Sequence, residues 1–193
     1  DGITYENYYG DMMPTQGVLD SNGLGTLTWS VDTAGSHSFI SFFDFDIYDP
    51  SSLFADKYNE YGDVVGVTTN FQSYEIDDQW GGTIYYNLLE GVLYIQNYIT
   101  SSSPGDVSVA IGYNFTIDEG QSATISLTLT QVISGFDGFY LSQIDAESQE
   151  TLFFYGTLNV QDNDAPSPVP EPSTMLLLGT GVVGFISVRK MLR

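Results

Sequence analysis

The chain has 193 residues, 25 carboxylates against four basic side chains, and a net charge of −21. Arg189, Lys190 and Arg193 stand in the last five positions and Lys57 is the only other cation, so the body is a polyanion that repels nucleic acid and anionic lipid. Cysteine is absent, which excludes disulfide staples, thiolate zinc sites and a cysteine nucleophile.

Abundant Tyr (14) and Phe (12), with much Gly, Ser and Thr, favour strands and turns over helices. The first residue is Asp1, with no Met and no apolar leader before it, the start expected of a mature exported chain after removal of a signal peptide. In chain order, the first predicted strand is Thr26–Val31, after the turn signal Asp20-Ser-Asn-Gly. In "HSFISFFDFDIYDP" (His37–Pro50), Phe39, Phe43, Phe45 and Ile47 share one face and Asp44 and Asp46 the other, and Asp49-Pro50 ends the run. "DPSSLFADKYNEYG" (Asp49–Gly62) is a loop or the one helical turn. Further strands are predicted at Val64–Ile76, Thr83–Leu88, Val92–Ile99 and Val107–Ile117, with turns at Trp80-Gly-Gly, Ser101–Gly105 and Asp118-Glu-Gly. "SATISLTLTQV" (Ser122–Val132) alternates most cleanly, with Ile125, Leu127 and Leu129 on the buried face. Gly138–Ile144 and Leu152–Val160 complete the series. This spacing predicts an all-β fold over residues 1–161, an antiparallel β-sandwich of jelly-roll-like kind.

Residues 162–172 form a Pro-rich linker, since "DNDAPSPVPEPS" (Asp162–Ser173) holds four of the seven prolines and no strand pattern. Residues 173–193 predict a short hydrophobic helix with a basic tail. Thr174–Val188 carries no charge over 15 residues; as a helix it rises about 22 Å, short of a hydrocarbon core of about 30 Å. Arg189, Lys190 and Arg193 then act as the membrane stop and predict a cytoplasmic C-terminus, with the acidic body on the far side.

The tripartite order Val-Pro-Glu-Pro-Ser, short apolar segment, Arg-Lys and chain end resembles the PEP-CTERM sorting signal of exopolysaccharide-producing Gram-negative bacteria. The resemblance implies that an exosortase, a multispanning membrane protease-transpeptidase, recognises Pro170, Glu171 and Pro172. The short segment then holds the body transiently at the inner membrane before release to the cell surface or beyond. In the body, "FFDFDIYDPSSLFADKYNEYGDVVG", "DVSVAIGYNFTIDEGQSATISL" and "GFYLSQIDAESQETLFFYGTLNV" are similar to segments of a group of PEP-CTERM proteins without an assigned biochemical function. That likeness implies secretion and β structure only, and Tyr113-Asn114 stands where the group has Trp-Asp.

Among chemistries, a Ser-His-Asp site would need His37, the single histidine, which reads as a solvent-facing turn residue. Paired carboxylates could serve a glycosidase, but 25 acids pair by chance and no pair is singled out. The expectation is therefore a protein that is not an enzyme and holds no obligatory cofactor. Calcium is the one ion considered, at Asp44, Asp46 and Asp49, with Asp56, Glu60, Asp63, Asp77-Asp78 and "DNDAP" as lesser acidic groups. Solvated acidic turns are the plain alternative. Trp29 and Trp80, with Tyr85 and Tyr86, are the candidate aromatic platforms for carbohydrate. The reading is a secreted, noncatalytic surface or matrix protein associated with exopolysaccharide. Its alternatives are a carbohydrate-binding module and a self-assembling filament subunit, joined through "ITYENYY" near the N-terminus or through the apolar tail.

Overall fold

The computed structural model describes residues 14–45, 47, 59–78 and 80–163. The chain divides into two units, Asp1–Gln161 and Asp162–Arg193; every strand and helix among the described residues starts in the first. The expected linker beyond residue 163, the tail helix at 173–193, the N-terminal strand in "ITYENYY" and most of Asp49–Gly62 lie outside the described residues.

Among the described residues the fold is all-β, with two sheets and one short helix. The strands are β1 (Gln16–Leu19), β2 (Gly25–Val31), β3 (Gly35–Asp44), β4 (Glu60–Val65), β5 (Gln72–Asp77), β6 (Gln96–Asn97), β7 (Ser108–Ile117), β8 (Gln121–Thr130), β9 (Tyr140–Asp145) and β10 (Thr151–Asp162). One sheet has the order β1-β2-β8-β10-β9-β4 and the other β3-β7-β5-β6. Asp20 makes the first hairpin: its Oδ1 accepts the N–H groups of Asn22 (2.8 Å) and Leu24 (3.0 Å), so the side chain replaces ladder partners inside the turn.

The alternation in β8 is as expected. Ala123, Ile125, Leu127 and Leu129 are buried, while the intervening Thr and Ser residues are half-buried. Their hydroxyls pair across to β2, Thr26 with Thr128 at 2.8 Å and Thr28 with Ser126 at 3.2 Å, which is the cross-strand pairing that stabilises an outer face. One core joins inward residues of both sheets. Leu27, Ile125, Leu127, Leu141 and Phe154 come from the first, and Phe43, Ile76, Val109, Ile111 and Tyr113 from the second. Phe43 and Phe154 meet at 5.8 Å between ring centroids, an aromatic contact that links β3 with β10.

Three expectations need correction. Val64–Ile76 is not one strand: Gly66, at φ +87°, takes the chain into the left-handed region and separates β4 from β5. Thr83–Leu88 is not a strand: Ile84–Glu90 forms helix α1. Val92–Ile99 reduces to the two residues of β6. These changes also alter the sheet. β6 runs parallel to β5, through Glu75–Gln96 and Ile76–Asn97, while β1–β2, β2–β8, β3–β7, β5–β7, β4–β9 and β9–β10 pair antiparallel. A parallel neighbour requires a crossover of a dozen or so residues, and α1 supplies it.

Candidate functional site

The site grows from the outer face of the four-stranded sheet. In β5, Tyr74 and Ile76 point into the main core, so strand alternation sends Glu75 and Asp77 to the opposite face. On that face, Ile40 and Phe42 of β3 and Ala110 of β7 meet Ile84 and Leu88 of α1 and the following Leu93. Helix α1 is thus a cover for an apolar patch, with two carboxylates beneath it. Both are buried, Glu75 at 0 % and Asp77 at 6 % exposure.

Each carboxylate is hydrogen-bonded, as burial demands. Asp77 Oδ2 accepts the backbone N–H of Thr83 (2.6 Å) and Ile84 (3.3 Å) and the Thr83 hydroxyl (3.3 Å). Thr83, the N-cap residue, makes no side-chain cap of its own, so Asp77 satisfies the open N–H groups of the first turn from a neighbouring strand. Gly82 permits this approach, because a Cβ there would lie 2.1 Å from the Asp77 carboxylate. Glu75 Oε1 accepts Asn87 Nδ2 at 2.6 Å and the Thr83 hydroxyl at 3.5 Å, and Oε2 accepts Tyr94 N–H at 3.4 Å. Burial pushes the Glu75 carboxyl above its ordinary value; the Asn87 and Tyr94 bonds oppose that shift, and the Asp77 charge adds to it.

Several exposed aromatic residues follow β5 in the chain. Asp78 Oδ1 accepts the N–H groups of Trp80 (2.7 Å) and Gly81 (2.6 Å), closing a turn around the tryptophan. Trp80 is 80 % exposed, with Tyr86 of α1 at 67 %, and the rings of Tyr85 and Tyr86 stand edge to face at 5.9 Å. Tyr94 and Tyr98 bracket β6, each about half exposed. Between them Ile95 has φ 56°, a strained conformation for a β-branched residue, of order 1–3 kcal/mol. The backbone holds it: Ile95 N–H donates to Tyr74 O and Tyr98 N–H to Ile76 O, both at 2.9 Å.

Of the residues singled out from sequence, the two tryptophans separate. Trp29 is 7 % exposed and packs edge-on against Phe39 at 4.9 Å, so its ring belongs to the core and presents no face to a ligand. Trp80 remains. Asp44 is exposed and accepts the Ser108 hydroxyl at 2.8 Å. Asp46 and Asp49 lie outside the described residues, as do Pro170, Glu171, Pro172, Arg189, Lys190 and Arg193. Among the described residues no three acidic or histidine side chains gather into a group able to hold a metal, and no helix is long and apolar enough to cross a membrane. His37 is half-buried rather than free in a turn. It stacks on Phe115 at 5.4 Å, and its Nε2 lies 2.7 Å from the Thr33 carbonyl.

The alternative of solvated acidic turns fails for Glu60 and Asp77 among those groups. Glu60 is fully buried; its Oε1 accepts the Ile47 N–H at 2.7 Å, and Gln143 Nε2 donates to its other oxygen and to the Phe45 carbonyl (2.6 Å). Asp145 is buried at the β9–β10 turn, accepting the N–H groups of Glu147 (3.0 Å) and Ser148 (2.6 Å). Sequence reasoning missed Asp78 as the residue that orients Trp80, and missed Tyr94 and Tyr98. The spacing "DDQWGG" held a signal for the first, an Asp two residues before Trp with glycines after it. Nothing in the pattern marked the tyrosines.

The PEP-CTERM protein-sorting motif matches residues 168–190. The chain therefore carries a sorting signal that implies export, processing by an exosortase at the membrane, and transient anchoring before release to the cell surface or the extracellular space. No curated protein and no solved structure matches the chain.

Proposed function

From the PEP-CTERM motif that routes this chain out of the cell, we propose that its body is a noncatalytic matrix module, a jelly-roll-like β-sandwich that binds exopolysaccharide through the aromatic surface at α1. The single core shared by two sheets supports the sandwich reading. The observation that carries the binding reading is Trp80. An indole at 80 % exposure leaves a large apolar face in water, and the Asp78 turn removes the entropy that a free loop would lose on binding. Flat rings suit the apolar faces of sugars, and Tyr86 and Tyr94 on the same crossover, with Tyr98 just after β6, add ring edges and hydroxyls. His37, engaged with Phe115 and Thr33, serves the β2–β3 corner.

The test is retention of the full chain, kept soluble in a nonionic detergent, on immobilised dextran, chitosan and alginate. Binding to at least one, weakened roughly tenfold or more in Trp80→Ala, is the expected result. Equal retention of wild type and variant on every column would refute the site.

A further inference from the structure

We infer that the glycan bound at the α1 surface carries free amines, an amino-sugar polymer at least partly deacetylated. The inference rests on the binding reading above and takes its next step from charge. The described residues contain no lysine or arginine, so no guanidinium or ammonium among them faces the aromatic set. Carboxylates stand at both ends of α1. Asp78 lies two residues before Trp80 and grips its backbone. Glu90 closes the helix, whose last turn has no basic residue, and there its charge adds to the negative end of the helix dipole instead of offsetting it. The whole chain, at −21, contributes a background field of the same sign.

A polymer bearing uronates, sulfates or phosphates meets repulsion at this surface, and a neutral polymer gains stacking alone. An ammonium-bearing sugar gains stacking on Trp80, long-range attraction to the chain, and hydrogen-bonded pairing with carboxylates such as Asp78. The two contributions separate experimentally, because Trp80→Ala keeps every charge while removing the ring. Attraction between exposed charges is screened over about 10 Å at 0.1 M salt, whereas stacking is not.

The decisive experiment measures affinity of the full chain in nonionic detergent for chitosan, dextran and alginate oligosaccharides at pH 6, in 20 mM and 300 mM NaCl. The expected order is chitosan well above dextran, with alginate weakest. The preference for chitosan should shrink at high salt, and Trp80→Ala should lose roughly tenfold or more at both salts. Equal affinity for dextran and chitosan would overturn the amine inference and leave glycan binding standing. Tighter binding to alginate would overturn the inference in the same way. Chitosan binding that Trp80→Ala retains in full would overturn it differently, showing that the polycation adheres to a polyanion without using the site. Absence of binding to all three would remove the glycan reading itself.

Discussion

The two tryptophans show how differently this chain uses one residue type. Trp29 sits in β2 on the inward face, where the period of two that buries Leu27 also buries the indole. Trp80 sits in a turn fixed by Asp78, with most of its ring in water. Burial of Trp29 holds the two sheets together by its contact with Phe39. Trp80 is the exposed ring on which the proposed glycan contact rests. The contrast teaches that one indole serves the core between the sheets, while the other stands in water on a turn beside the apolar cover of the four-stranded sheet.

The comparison makes unequal demands on stability. Trp29→Ala should destabilise the protein by about 3–5 kcal/mol in chemical denaturation, the usual range for removing a buried aromatic side chain; a loss within error would mean that the ring is not core. Asp77→Ala comes next. It strips the Thr83 and Ile84 N–H groups of their acceptor, and leaving the buried Ile84 donor unpaired costs about 1–3 kcal/mol. Hydrogen exchange should show the loss concentrated in α1 while β8 stays protected.

Glu75 gives a smaller effect with a defined sign. Its carboxyl is raised in the folded protein, so the fold binds that proton more tightly than the unfolded chain does. Stability from this group therefore falls as pH rises from the ordinary carboxylate range through the raised value, and returns on acidification. Melting temperatures of wild type and Glu75→Gln should diverge across that window, with the variant gaining as pH rises; parallel curves would contradict the assignment. Trp80→Ala should change stability least, by no more than about 0.5 kcal/mol, as expected for an exposed side chain.

Legibility followed the same division. β8 was readable because strict alternation leaves one way to bury an apolar face, as Ile125, Leu127 and Leu129 show, whereas β7 and β9 are buried over consecutive positions and were read as strand-forming runs between turns. Helix α1 was not, because Ile84, Tyr85 and Tyr86 are strand-forming residues and the helix is seven residues long. Tertiary context prevails there. Ile84 and Leu88, one turn apart, find the apolar patch of Ile40, Phe42 and Ala110, and Gly91 at φ 71° closes the helix. Its crossover makes β6 parallel, which no local pattern could announce. The buried acids were hidden for a related reason. Glu60, Glu75 and Asp77 look like any of 25 carboxylates until the fold supplies their donors. The sorting motif, in contrast, is a linear signal that needed no fold to be recognised.

The most direct test of the central claim uses Trp29→Phe, which leaves Trp80 as the sole indole. Its fluorescence in the free protein should be that of a solvated tryptophan, readily quenched by acrylamide. Added chitosan oligosaccharide should shift the emission to shorter wavelength and shield it from the quencher, with saturation matching the affinity of the wild-type chain. Emission and quenching that stay unchanged at saturating oligosaccharide would show that the glycan does not cover Trp80, and the account of the α1 surface as a binding site would be wrong.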